Sequence, residues 1–258
     1  MQIEACYDQG QWDEYVHEHG GHPLQLWGWG EVKAAHGWHA YRYTMTRGDT
    51  IVGCAQVLVR PLPWPFRRFI YVPRGPVFDA ADQDEVLAAL AKHIKGHLKG
   101  VVLSIEPPRT ESPMGQGWRR SSNTILIPHT LILDLRRSQD ELMEAMSKKT
   151  RQYIRKSAKE PLTIRRVTSR EMLADLMALY HQTASRAGFP LHEDQYYYDV
   201  FDKLGEASVI FAATNEQGPI AFVWLAVSAG TAFELYGCMM PKGKGYPPRK
   251  PVKKPQRR

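Results

Sequence analysis

The strongest local constraint on this chain lies at 136–159, RRSQDELMEAMSKKTRQYIRKSAK. Ser138 is followed three residues on by Glu141, a capping box in which each side chain satisfies a free amide at a helix start. Leu142, Met146, Thr150, Tyr153 and Ser157 recur at three- and four-residue spacing, so the stretch reads as one amphipathic helix. Pro161 ends it, because proline cannot continue a helix interior. Six cations, Lys148, Lys149, Arg151, Arg155, Lys156 and Lys159, crowd its last turns. They complement the negative end of the helix dipole, and they also form a face that nucleic-acid phosphate can meet.

The rest of the chain alternates around that helix. Residues 41–45, 50–60 and 69–72 read as strands, with Arg47-Gly48-Asp49 turning the first pair. Residues 81–99 form an alanine-rich helix with acids first and lysines last. A short apolar strand follows at 101–105, and 107–122 reads as loop. The apolar stretch TLILDL at 130–135 predicts a strand leading into the basic helix. Beyond it come a strand at 162–167 and a helix at 171–187 with Leu173, Leu176, Met177 and Tyr180 on one face. Three strands at 207–214, 219–228 and 231–236, joined by tight turns, form an antiparallel meander. The strand-then-helix restart near residue 129 predicts two units, 1–128 and 129–237, of mixed α/β class.

Composition narrows the function. The longest apolar run, 220–227, is far short of the ~18 residues of a membrane span, and the N-terminus has neither the basic start nor the apolar core of a signal peptide. Three scattered cysteines read as reduced thiols of a cytoplasmic protein. No CxxC pair supports a zinc ribbon. His17, His19 and His22 sit in a glycine-interrupted stretch that reads as loop, so no metal site is assigned. The net charge of +7 belongs to the end of the chain. Residues 241–258 hold eight of the 34 Lys and Arg and none of the 27 Asp and Glu, which leaves 26 against 27 for the body. A near-neutral body with one basic helix argues against a DNA-binding protein.

Several stretches, in order, resemble the Fem family of peptidoglycan-bridge aminoacyltransferases. MSKKTRQYIRKSAKE at 146–160 is similar to the family's basic segment, and LQLWGWGEVKAAHGW at 24–38 to its early W-G-x-F-K segment closing in G-W. YVPRGPV at 71–77 resembles a Y-I-P-K/R-G-P strand exit, with Arg74 either touching phosphate or only shaping a turn. Ile105-Glu106-Pro107 resembles an I/V-E/D-P ending; Glu106 has no carboxylate partner at a meaningful spacing and receives no acid–base role. RAGFPLHEDQYYYDVF at 186–201 resembles R-D-G-F-x-x-R-x-x-x-Y-Y, and AFELYGC at 232–238 resembles Y-E-L-Y-G-G/A-S.

The resemblance implies tandem acetyltransferase-like (GNAT-type) domains, the second one incomplete, and transfer of an amino acid from aminoacyl-tRNA to the stem peptide of a peptidoglycan precursor. Aminoacyl-tRNA is then a co-substrate and no cofactor is implied. It carries over Lys33, His192, Tyr196 and Tyr236 as precursor-binding residues; no catalytic residue is assigned. With aminoacyl-tRNA as co-substrate, the cations of the basic helix, particularly Lys148, Arg151 and Arg155, are the expected contact to tRNA phosphate, one that is independent of sequence. His192 departs from the family's arginine and cannot make a bidentate fork to phosphate. A lipid-linked substrate implies a cytoplasmic protein at the inner face of the membrane.

After Gly237 the family continues with a helix, a Y-D-F-W-G-I strand and an F-K-x-G-F-G segment whose lysine is implicated in catalysis. Here the chain runs CMMPKGKGYPPRKPVKKPQRR, and its prolines and cations predict a disordered tail at 238–258. The change in composition reads as a frame change or early stop, with a genuine basic tail as the alternative. Gly243-Lys244-Gly245 lacks the strand and helix of a phosphate loop. An acyl-CoA-dependent N-acyltransferase and a non-catalytic precursor or RNA binder remain alternatives on the same fold.

Overall fold

The computed structural model describes residues 1–108 and 117–240. Two sheets carry the architecture. The first uses β1 (Gln2–Ala5), β2 (His39–Arg47), β3 (Thr50–Pro61), β4 (Arg68–Val72), β5 (Val77–Phe78) and β6 (Val102–Ile105), in the order β1-β2-β3-β4-β6 with β5 pairing β3. Its pairs are antiparallel except β4–β6, which runs parallel because a helix, α3 (Gln83–His97), crosses over between them. Val86, Leu87, Leu90 and Ile94 of α3 are fully buried in a core with Met45, Val57 and Ile70 of the sheet. Two earlier helices, α1 (Gln9–Glu18) and α2 (Trp27–Ala35), lie between β1 and β2 in the chain.

The second sheet is an antiparallel meander with one added strand, in the order β10 (Thr231–Met239), β9 (Gly218–Ser228), β8 (Ser208–Asn215), β7 (Thr163–Arg166). The short helices α4 (Gln139–Ala145) and α5 (Lys148–Ser157) precede it, and α6 (Arg170–Ala187) and α7 (Asp194–Leu204) fall between β7 and β8. Ser169 caps α6 by accepting from the Met172 amide, and Gly188 closes it in the left-handed conformation, φ 74°. Leu173, Leu176 and Tyr180 pack against Phe222 and Trp224 of β9.

The joint between the sheets is α2. Gln56, buried in β3, donates to the carbonyls of Leu24 and Leu26, and Gln25 donates to Pro73, which fixes the start of the helix on the first sheet. Arg42 adds bonds to Trp27 O at 2.9 Å and Glu31 at 2.8 Å. The opposite face of α2 lies on α7, and Trp29 and Val32 belong to the core of the second sheet. Gly28 makes the approach possible: a Cβ there would stand 2.0 Å from the Lys203 carbonyl oxygen.

Four expectations are corrected. Residues 130–135 form no strand; Leu131 and Ile132 are 92% and 85% exposed, because an apolar stretch becomes a strand only where a neighbour accepts its hydrogen bonds. The basic stretch is two helices. Met146 is extended, and Ser147 starts α5 by accepting from the Thr150 amide at 3.2 Å. His17 lies on α1 rather than in a loop, and the three histidines have separate partners: His17 with Ser228, His19 stacked on Tyr15, His22 on the Leu24 amide. The last strand continues to Met239, so Cys238 and Met239 are ordered in β10 rather than in a tail. The expected disorder at 241–258, including Gly243-Lys244-Gly245, lies outside the described residues.

Candidate functional site

Four of the predicted binding residues meet where α2 faces α7 and β10. Lys33 lies in the last turn of α2, one turn after Trp29, and its Nζ stands over the aromatic rings of Trp29 (4.8 Å) and Tyr196 (4.9 Å). Its Nζ donates to the Tyr196 hydroxyl at 2.9 Å across 163 residues of sequence. Burial, with the nearby Arg60 cation, pushes the Lys33 ammonium down to about 8. The Tyr196 phenol is held up at about 12 by burial and hydrogen-bonds Tyr236, whose own phenol is pushed well up by burial.

His192 stacks on Tyr196 at 4.0 Å, and its amide donates to the Tyr197 hydroxyl at 3.3 Å. Partial burial, then the Lys33 and His36 charges, hold the imidazole below its usual range. His36, which sequence reasoning passed over, sits edge-on to Tyr196 at 5.0 Å and hydrogen-bonds Asp199 at 2.9 Å. The three-residue spacing from Lys33, in the last turn of α2, to His36, its C-cap, is the sequence signal for it. The Trp29 indole N–H is buried beside the cluster without an acceptor among the described residues. The result is a cation, two neutral phenols and an imidazole on aromatic walls. An ammonium in that setting is matched by an oxyanion, above all phosphate.

The three predicted tRNA contacts do not join this cluster. Lys148 and Arg155 are exposed on α5. Arg151 instead closes the end of α4, where its Nη1 donates to the carbonyls of Met146 at 2.6 Å and Glu144 at 3.1 Å. Two further residues have structural partners. Glu106 accepts from the amides of Ile125 and Leu126, each at 3.2 Å, and from the Tyr71 hydroxyl. Arg74, at φ 48°, donates to the Ile127 carbonyl at 2.8 Å. Together they hold the strand exits of the first sheet to the segment that leads to the second.

Fold and cleft together define a two-sheet α/β protein with a cationic site between its halves. The chain belongs to the FemAB family, whose model matches residues 8–117 and 114–217. It is 27% identical over 233 residues to the lipid II:glycine glycyltransferase of Staphylococcus aureus, across 82% of this chain and 55% of that protein. The chain therefore spans about half the length of the curated relatives it matches. Among solved structures FemX shares its fold at a TM-score of 0.78 and 18% identity, over 94% of this chain and 81% of FemX. The L-PGS of Bacillus licheniformis aligns at 0.50 and 12% identity, over 92% of this chain and 67% of that one. The fold is the tandem acetyltransferase-like α/β organisation that the family resemblance implies.

Proposed function

We propose that the chain serves as an aminoacyltransferase of the peptidoglycan-bridge class, with the α2–α7–β10 cleft holding the precursor by its phosphate and sugar end. The observation that carries this reading is the Lys33–Tyr196 bond at 2.9 Å, with His192 stacked on the same phenol and Tyr236 behind it. The name of the S. aureus relative, a lipid II glycyltransferase, supports a precursor of that kind.

In the reaction the free amine of the stem peptide attacks the ester carbonyl of aminoacyl-tRNA. The tetrahedral oxyanion collapses to an amide, the tRNA terminal hydroxyl leaves, and the ammonium loses its proton. The ester is already activated, so alignment of amine and carbonyl is the main requirement. Lys33, His192, Tyr196 and Tyr236 supply one half of that alignment by fixing the precursor. Lys148 and Arg155 offer tRNA phosphate an exposed, sequence-independent contact, and Arg151 holds α5 in place beneath them.

The test is calorimetric binding of the water-soluble, nucleotide-linked precursor, followed by transfer from charged tRNA. Lys33→Ala is expected to weaken precursor binding on the order of ten-fold or more. Absence of precursor binding by the intact chain overturns the reading, and amine acylation driven by acyl-CoA without tRNA selects the other transferase class. For tRNA, replacing Lys148 and Arg155 by alanine should lower the slope of log affinity against log salt by about 2. An unchanged slope removes α5 from the tRNA contact.

A further inference from the structure

The hairpin joining β3 to β4 has an unusual tip. Pro63-Trp64-Pro65-Phe66 stands outside the sheet with Trp64 93% and Phe66 59% exposed. The tip is ordered all the same: the Leu62 amide donates to the Arg67 carbonyl at 3.2 Å and the Phe66 amide to Pro63 at 2.9 Å. Such rings gain nothing from water and contribute nothing to either core.

The charge around the tip is of one sign. No Asp or Glu occurs between Asp49 and Asp79, whereas Arg60, Arg67 and Arg68 flank the tip. Arg68 donates to the Leu98 carbonyl at 3.1 Å, which brings the end of α3, with Lys95 and Lys99, to the foot of the hairpin. The stretch from Val86 to Ile105 is also free of acids. Aromatic rings lead and cations stand behind them. Register puts Arg68 opposite Pro61 and Arg60 opposite Phe69, so at ~3.3 Å per residue the backbone positions that carry the cations lie roughly 7–13 Å behind that of Trp64.

We infer that the β3–β4 hairpin is a membrane-docking element, with Trp64 and Phe66 entering the interfacial layer of an anionic bilayer and Arg67 and Arg68 meeting its headgroups. Aromatic residues favour that layer, and each nearby cation adds attraction to acidic lipid. A nucleic-acid platform carries its cations level with the stacked rings so that they reach the phosphates of the same strand; here the residues that bear them are set back along the hairpin. The foot of the hairpin also adjoins the cleft. Arg60 lies over the Trp38 ring at 5.6 Å and is the cation that acts on Lys33, and an open groove is lined by Trp38, Tyr41, Ala34 and Pro61, the last two next to Lys33 and Arg60 in the chain. Docking by the tip thus brings the cleft close to the headgroup plane. The inference stands on exposure and charge alone, and vesicle binding tests it without substrate, tRNA or turnover.

The experiment is sedimentation of the full chain with vesicles of phosphatidylcholine, with and without one-third phosphatidylglycerol. The basic 241–258 segment is common to every variant, so ratios of affinity isolate the hairpin. Trp64→Ala with Phe66→Ala should lower affinity for the anionic vesicles on the order of ten-fold or more. Arg67→Gln should lower it about five-fold. Lipids brominated near the headgroup should quench the wild-type tryptophan emission, and Trp64→Phe should lose most of that quenching. All these variants should melt with the wild type, since the altered side chains are exposed. Affinities within two-fold of wild type overturn the inference. So does loss of tRNA binding with vesicle binding intact, which would identify an RNA surface instead.

Discussion

Lys33 is the residue on which the candidate site turns, and its proton is measurable. The free amine of lysine titrates near ~10.4 in an unfolded chain, whereas burial brings Lys33 down to about 8. Between those values the unfolded state binds more protons, so this group makes stability rise with pH across that window and costs stability below it. An anionic ligand reverses the preference, because phosphate favours the charged ammonium. Precursor affinity is therefore expected to fall as pH rises through about 8, by as much as ten-fold per unit, when titrated from pH 7 to 9.5. Lys33→Met should flatten that profile. A flat profile in the wild type would separate Lys33 from the ligand. His192, held neutral by partial burial beside Lys33 and His36, gives the second prediction at this scale. His192→Arg adds a fixed charge and a forked donor, and should tighten precursor binding on the order of ten-fold. Its added charge should also move the fall in affinity to lower pH.

At the scale of elements, α2 shows what the sequence does and does not reveal. The WGWG run marks an interface, but pattern alone does not say which glycine faces which neighbour. Gly28 lies against the α7 backbone and Gly30 against the Gln56 side chain, whose amide oxygen would stand 2.2 Å from an added Cβ. Gly28→Ala meets a carbonyl that cannot rotate away, and should destabilise by about 3 kcal/mol, a loss of roughly 6–12 °C in Tm. Gly96→Ala, on the exposed side of α3 with open space around it, should instead stabilise by about 0.5–1 kcal/mol. Calorimetry of the two variants checks both signs. Lys33, His192, Tyr196 and Tyr236 could be picked out because each sits in a short motif, but that they meet at one place follows only from the packing of α2 on α7 and β10. The break at Ser147 was not legible, since a new N-cap can interrupt a stripe of three- and four-residue spacings without disturbing it. Nor was the fate of residues 130–135: an apolar run records a preference for strand, while a strand also needs a partner on its edge. Trp64 escaped notice because a lone aromatic between prolines looks like any turn until its exposure is seen.

For the whole molecule, the question is whether two sheets make two folding units. Chain order suggests that they do, since the strands of the first sheet end at Ile105 and those of the second begin at Thr163. Packing couples the two through α2. Leu24, Trp29 and Val32 come from the first part of the chain but lie in one core with α6, α7 and the meander. The Gln25, Arg42 and Gln56 bonds tie the same helix to the first sheet. Loss of either sheet therefore strands α2 with half its contacts gone and buried donors unpaired, a penalty larger than the usual margin of a small unit. The chain is expected to unfold in a single calorimetric transition. Val32→Ala removes two fully buried methyl groups from the second core and should cost about 2 kcal/mol, lowering that transition as a whole. Two transitions, of which Val32→Ala moves one, would mean that α2 travels with one sheet alone. The cleft would then open whenever the weaker unit melts, separating Lys33 from Tyr196 and Tyr236, and precursor binding of the proposed kind should vanish at that lower temperature. With one cooperative unit a ligand held in the cleft bridges both halves, so the same excess of precursor should raise the single Tm in the wild type and raise it less in Lys33→Ala.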